Sequence, residues 1–390
     1  MSIVGLSFVG YGLIGMFSVL FPTIMPTVIT GFSLTLAAAG LVYPARAVGA
    51  LLGAMVGGIV SDRAGRRTLL TGSAALLCLG LTSSAIGQSW PLFLGGFFIS
   101  GLAQGALAAG INAVAAENAG ANSAKVLNRL HGIYSIGAAL SPIGVGWLLS
   151  TGASWQVVLL VLAGIWLIFT CGASVSHYAK KNTAHQAKRG SLTTLFKHPV
   201  FLLAGIIAFT YNGLAWSLIG WVNTYLQQEA GLPQVLATGM LTLFYIALAV
   251  GRFACASLTT RFGNTRVLLA CALGAALAYP LVLAKPWPIL AAVGVLFSGL
   301  TLSGLYPIAL AVATRFGAGH TGAVVGAMSN AMTLGTMLPP WWTGILAEFG
   351  GLQMALSINY IMVIIMIAAV ILLNRQVAVH TDPAPRLAAR

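Results

Sequence analysis

Acid is scarce in this sequence. Of 390 residues, five are Asp or Glu, and residues of either charge make up 6%. A soluble domain carries roughly 25% charge, so a water-exposed globule is excluded. The five acids are Asp62, Glu117, Glu229, Glu348 and Asp382, and none lies in the middle of an apolar run. Proton or sodium coupling through an intramembrane carboxylate therefore has no carrier here. Cysteine is also sparse. Cys78, Cys171, Cys255 and Cys271 lie in or beside apolar runs without CxxC spacing, which removes a disulfide framework and a thiolate metal site from the expectations. No nucleophile–base pair, metal cluster or phosphate loop is visible, so neither an enzyme nor a cofactor is expected.

What is present is apolar sequence, at 58% of all residues. A hydrocarbon core about 30 Å thick needs roughly 20 apolar residues per helix. With Gly, Pro and charge read as punctuation, the chain divides into twelve spans. They run approximately over 4–24, 34–60, 68–87, 91–115, 127–149, 155–175, 200–226, 235–258, 266–284, 288–314, 322–346 and 352–374. The expected fold is an all-α membrane protein with twelve transmembrane helices in two six-helix bundles around a central cavity. The bundles are 1–175 and 200–374, joined by a polar, basic linker at 176–199 and followed by a tail at 375–390. The first run has no charged leader segment and is read as a retained helix.

The formal net charge is +14. The basic residues lie in short loops without interleaved aromatics, so nucleic acid is not expected as a partner. With the N-terminus placed inside, sixteen of the 19 Lys and Arg residues fall on the inner side and only Lys285 on the outer. Arg46 and Arg252 remain within spans. This asymmetry puts both termini in the cytoplasm. The expected setting is a bacterial inner membrane, with the chain as a monomer in the lipid bilayer.

Between spans two and three the sequence reads GGIVSDRAGRRTLL, from Gly57 to Leu70. A carboxylate at Asp62 can pair with nearby arginines and face the positive end of a neighbouring helix. Gly58 and Gly65 permit close helix approach and a tight turn. Such a cluster suits a conformational latch made of Gly58, Asp62, Arg63, Gly65, Arg66 and Arg67, although a loop that only sets topology is the plainer alternative. The Arg63-x-Gly65 turn, with more arginine after it, recurs as Arg261-x-Gly263 followed by Arg266. Two related halves of six spans are the internal symmetry of transporters that rock.

The G-x-x-x-D-R-x-G-R-R pattern at Gly58–Arg67 resembles the loop signature of the major facilitator superfamily, and the resemblance covers the whole chain. Further segments narrow it: LNRLHGIYSIGA at Leu127–Ala138, FTYNGLAWSLIGWVNTYL in span seven and VYPARAVGALLG in span two. Together these look like the fucose permease and sodium-glucose-transporter-like branch. That branch implies a carboxylate near Ala108 and another near Ala215, and this chain has alanine at both. Carboxylate-based symport is thereby disfavoured, and His131 is left as a group able to carry a proton near neutral pH.

The candidate cargo contacts are the polar and aromatic groups at mid-span depth. Arg46 lies too deep to snorkel, and a charge there costs at least about 2.5 kcal/mol unless it faces a wet cavity or a partner. An anionic cargo is one partner; capping backbone carbonyls is the structural alternative. His131 and Tyr134 share a face of span five. Gln104, Asn112 and Asn330 are amides that need hydrogen-bond partners. In span seven, Tyr211, Asn212 and Trp216 combine aromatic faces with an amide, while Trp221 and Tyr225 read as outer aromatic belt. Tyr306-Pro307 and Pro339-Pro340 are expected helix breaks, and Trp341 and Trp342 read as belt anchors. Arg252 and Arg261 read as gating or structural arginines. The leading expectation is a secondary active or facilitative transporter of a sugar or organic anion, working by rocker-switch alternating access. The alternatives are an exporter of neutral hydrophobic or drug-like compounds and a non-transporting membrane receptor.

Overall fold

A computed structural model describes residues 3–119, 123–176, 198–285, 287–316 and 321–381. Most of the expected linker, and the tail from 382 onward, lie outside them. In a bilayer every backbone amide must be satisfied within the protein, and a helix does this within its own segment. The described residues accordingly contain helices and no strands.

The helices are α1 Ile3–Phe32, α2 Leu36–Gly40, α3 Val42–Ile86, α4 Trp90–Ala119, α5 Ser123–Ser150, α6 Trp155–Val175, α7 Pro199–Gln228, α8 Gln234–Phe262, α9 Asn264–Val282, α10 Pro288–Leu302, α11 Leu305–Phe316, α12 Thr321–Ile358 and α13 Tyr360–Thr381. Among the described residues, ten stretches are long and apolar enough to cross a membrane. Two of them, Leu36–Ile86 and Val324–Ala378, have twice the needed length. Each folds back once, the first at Gly65 and the second at Gly350–Gly351. The result is the twelve crossings expected. The residues from 375 that were read as tail continue α13 as helix up to Thr381.

The turns preserve the internal repeat better than the side chains do. Gly65 has φ 86°, ψ 166°, and Gly263, 198 residues later, has φ 81°, ψ 158°. Gly152 and Gly351, 199 residues apart, both take positive φ. A side chain is strained in that region of backbone space, so the hairpin turns of both halves depend on glycine.

The tightest helix contact in the first half is a glycine seam between α3 and α4. A Cβ on Gly53 would stand 1.8 Å from the Leu102 carbonyl oxygen, and one on Gly105 would stand 2.0 Å from that of Ala50. Where lipid removes the hydrophobic drive, such small-residue contact lets helices gain packing energy. Gly58 does not take part: it is exposed, and a Cβ there would meet nothing within 4 Å. The close-approach role expected of Gly58 belongs instead to Gly49, Gly53 and Gly57 on the same helix. Large side chains such as Met55, Ile59, Phe253, Leu277 and Ile289 cover the outer surface and are exposed, as a lipid-facing belt requires.

Hydrogen bonds join the two halves at the end opposite the basic loops. Tyr43 donates to the Gly220 carbonyl at 2.9 Å. Asn223 donates to Pro22 and Thr23 carbonyls at 3.1 and 2.8 Å. The Glu348 carboxylate accepts from the Ala37 amide of α2 at 2.8 Å, across 311 residues of chain. Along the side, Thr242 of α8 donates to the Ala139 carbonyl of α5 at 2.8 Å.

Candidate functional site

Three prolines determine which backbone acceptors are available between helices. A proline lacks the amide hydrogen that the carbonyl four residues earlier would accept. Pro22 frees the Ser18 carbonyl, and Arg46 Nη1 donates to it at 2.9 Å. Pro26 frees the Pro22 carbonyl, which takes Asn223. Pro280 frees the Ala276 carbonyl, which takes the Tyr360 hydroxyl at 3.0 Å.

Arg46 occupies the centre of the bundle, between the two halves. Its guanidinium carbon lies 5.5 Å from the ring centre of Phe17 on α1 and 5.1 Å from that of Trp216 on α7. Ring contacts of this kind contribute on the order of 0.5–2 kcal/mol each, and a hydrogen bond from a charged group roughly 1.5–3 kcal/mol. Together they offset an insertion cost of about 2.5–3.5 kcal/mol. They hold the cation in place without neutralising it. The ion pairs seen among the described residues, Arg66–Glu117 and Lys285–Glu229, are both at helix ends.

Around Arg46 the structure gathers most of the expected cargo contacts. Gln104 Nε2 donates to Ser18 Oγ at 2.9 Å, and that hydroxyl donates to the Ile14 carbonyl at 2.8 Å. Asn112 Nδ2 donates to the Tyr11 hydroxyl at 3.2 Å, leaving Asn112 Oδ1 buried without a partner. His131 meets the Tyr11 ring edge-on at 5.2 Å, and Tyr134 packs against it at 5.9 Å. Tyr211 and Tyr306 stack at 6.4 Å, 16° from parallel. Asn330 is exposed on α12.

Asn212 leaves this set. Its Nδ2 donates to the Met332 carbonyl and to Thr336 Oγ1, both at 2.6 Å, so the amide ties α7 to α12. The belt readings of Trp221 and Tyr225 are overturned as well. Trp221 and Tyr225 are fully buried; the first donates to the Pro340 carbonyl at 2.7 Å and the second to that of Leu283 at 3.0 Å. Trp342 is half-buried and donates to Asn359 at 2.8 Å, while the Trp341 backbone packs against Gly40. Pro339 and Pro340 lie within α12 without interrupting it, whereas the chain does break between α10 and α11, just before Tyr306-Pro307.

Residues missed by sequence reasoning complete the cluster. Tyr245 of α8 is buried within electrostatic reach of Arg46, Tyr134 and Arg252. Tyr11 and Ser18 contribute the hydroxyls described above. Tyrosine in an apolar run looks like core, but Tyr245 precedes Arg252 by seven residues, two helical turns, and that spacing is its one signal.

At the basic end, Arg66 reaches Ser61 Oγ and the Glu117 carboxylate, and Arg67 donates to the Ser174 carbonyl. The arginines after Gly65 thus bind α3 to α4 and α6, inside one half. Asp62 and Arg63 are exposed there. In the second half, exposed Arg261 lies over the ring of its neighbour Phe262 at 5.2 Å. Arg252 stands apart from these end groups: its Nη1 donates to Ser135 Oγ of α5 at 3.2 Å, next to Tyr134.

Comparison with known proteins agrees with this architecture. A model of the Major Facilitator Superfamily matches residues 7–241 and 238–389. YfkL of Bacillus subtilis, an uncharacterised MFS-type transporter, is 25% identical over 83% of this chain and 81% of its own. The cis,cis-muconate transport protein of Acinetobacter baylyi is 24% identical over 82% and 81%. A bacterial homologue of the human lysosomal transporter Spinster, inward-facing and occupied, superposes with a TM-score of 0.82 at 14% identity, covering 96% of each chain. FucP in its outward conformation gives 0.63 at 19% identity, covering 95% of this chain and 98% of its own.

Proposed function

The chain belongs to the major facilitator superfamily, and on that premise we propose that this transporter carries a small organic anion by alternating access, with Arg46 as its anion contact. The observation that carries the reading is the placement of Arg46. It is a cation at the centre of the membrane domain, held by a single backbone oxygen and two rings. A carboxylate entering beside it supplies a counter-charge in a setting of low dielectric, where charge-assisted hydrogen bonds are strong. The muconate transport protein among the relatives is named for a carboxylate cargo, which supports the same class.

A sugar site fits less well. One face of the Trp216 ring is covered by Arg46, and the Asn212 amide is committed to α12. The joined end of the bundle lies opposite the basic loops, while Arg252, His131 and Asn330 are exposed. With those loops in the cytoplasm of a bacterial inner membrane, the site opens inward in this state. The latch arginines then act when the basic end closes. Coupling to protons is assigned to exposed His131, so His131→Gln makes uptake indifferent to an imposed proton gradient.

The test is thermal unfolding of the purified protein with muconate, 3-phenylpropionate or xylose, for wild type and Arg46→Ala. A ligand at about a hundred times its Kd stabilises by roughly 2.7 kcal/mol. The expected result is stabilisation of wild type by the carboxylates, lost in the variant. Equal stabilisation of both proteins by xylose, with no effect of carboxylates, would overturn the reading.

A further inference from the structure

We infer that Arg252 is a second anion contact and that the cargo is a dicarboxylate, held at one end by each half of the protein; the inference rests on the organic-anion reading. Arg46 belongs to the first half and Arg252 to the second. Tyr134 and Tyr245 each lie within electrostatic reach of both arginines. Geometry links them through the same tyrosine: Ser135, next to Tyr134, takes the Arg252 hydrogen bond, and the Tyr134 ring packs on Tyr11 of α1, the helix whose Ser18 carbonyl takes Arg46.

Their depths differ. Arg46 is 19 residues from Gly65 and Arg252 is 11 residues from Gly263, its counterpart turn. The offset of eight residues amounts to about 12 Å of helix. The Arg252 side chain extends across to Ser135 of α5, beside Tyr134. A short, extended diacid lies naturally along this line, with one carboxylate at each arginine and the tyrosine hydroxyls between them.

Among the described residues, neither cation has an acid to answer it. Asp62, Glu117, Glu229 and Glu348 all sit at helix ends. Arg252 is exposed, and its hydrogen bond goes to a neutral serine. A monocarboxylate would neutralise one arginine and leave the other exposed to the same opening. A dianion neutralises both and links α3 to α8 across the two halves. That link gives the cargo a differential hold on the state in which the arginines converge, which a carrier needs if cargo is to bias its conformations.

The experiment compares hexanedioate with its monomethyl ester, which matches it in shape and lacks one charge. Calorimetric titration uses full-length wild type, Arg252→Gln, Arg252→Lys and Arg46→Ala. Wild type is expected to prefer the diacid by about tenfold or more. Arg252→Gln brings that ratio close to one, Arg252→Lys keeps most of it, and Arg46→Ala weakens both compounds. A ratio unchanged in Arg252→Gln, or near one in wild type that still binds the ester through Arg46, overturns the second contact alone. Binding of neither compound by wild type overturns the anion reading and this inference with it.

Discussion

The Ser18 carbonyl accepts a hydrogen bond from Arg46 because Pro22, four residues further along α1, has no amide hydrogen to give it. The arginine's position is thus specified on a different helix from its own. Pro22→Ala restores the missing donor, which then competes for the same oxygen. The helix gains a bond while the guanidinium loses its anchor, so the fold should persist and carboxylate affinity should fall about tenfold, in line with a lost bond from a charged group. Ser18→Ala is the control, since it removes the hydroxyl that serves Gln104 and keeps the carbonyl. Equal affinity of Pro22→Ala and wild type in a titration would show that the anchor is dispensable.

The glycine seam predicts a contrast within one helix. Gly53→Val drives side-chain atoms into the Leu102 backbone, whereas Gly58→Ala adds a methyl group to open space. Overpacking typically costs about 1–3 kcal/mol, and a backbone obstacle leaves little room to relax. Midpoints of thermal unfolding in detergent should therefore drop by several degrees for the first variant and stay within error for the second. Similar midpoints for both would remove the seam as the organising contact between α3 and α4.

Glu348 holds the joined end of the bundle through the Ala37 amide of α2. Glu348→Gln keeps the shape and weakens a charge-assisted bond to a neutral one, roughly halving its strength. The population should shift toward separation at that end. Spin labels on α2 and α12 near this contact should report a longer mean distance in the variant. An unchanged distance distribution would mean that Tyr43 and Asn223 alone keep the end shut.

The fold was legible in the sequence because its punctuation is physical. Glycines turn the chain at Gly65 and Gly263, and most helix limits fall within a few residues of the expected spans, although α1 runs on to Phe32 and α13 to Thr381. Arg46 was legible for a similar reason, as an isolated charge deep in an apolar run. What could not be read was the azimuth of a side chain around its helix. These helices are apolar on nearly every side, so no polar stripe marks the inner face. Depth along α7 suggested a belt position for Trp221 and Tyr225, and rotation about that helix buried both. Asn212 failed in the same way: its depth was that of the site, and its direction was toward α12. Tyr245 was missed because a tyrosine gives no sign of whether its hydroxyl faces charge or core.

The paired glycine turns, 198 and 199 residues apart, give the molecule a nearly twofold frame. In the 198-residue register the counterpart of Arg46 is Phe244, and that of Arg252 is Ala54. The scaffold is duplicated and its charges are not. A cargo turned end for end would meet a different surface, so the carrier distinguishes head from tail. Such a chain has a direction built into its chemistry that its architecture alone would not impose.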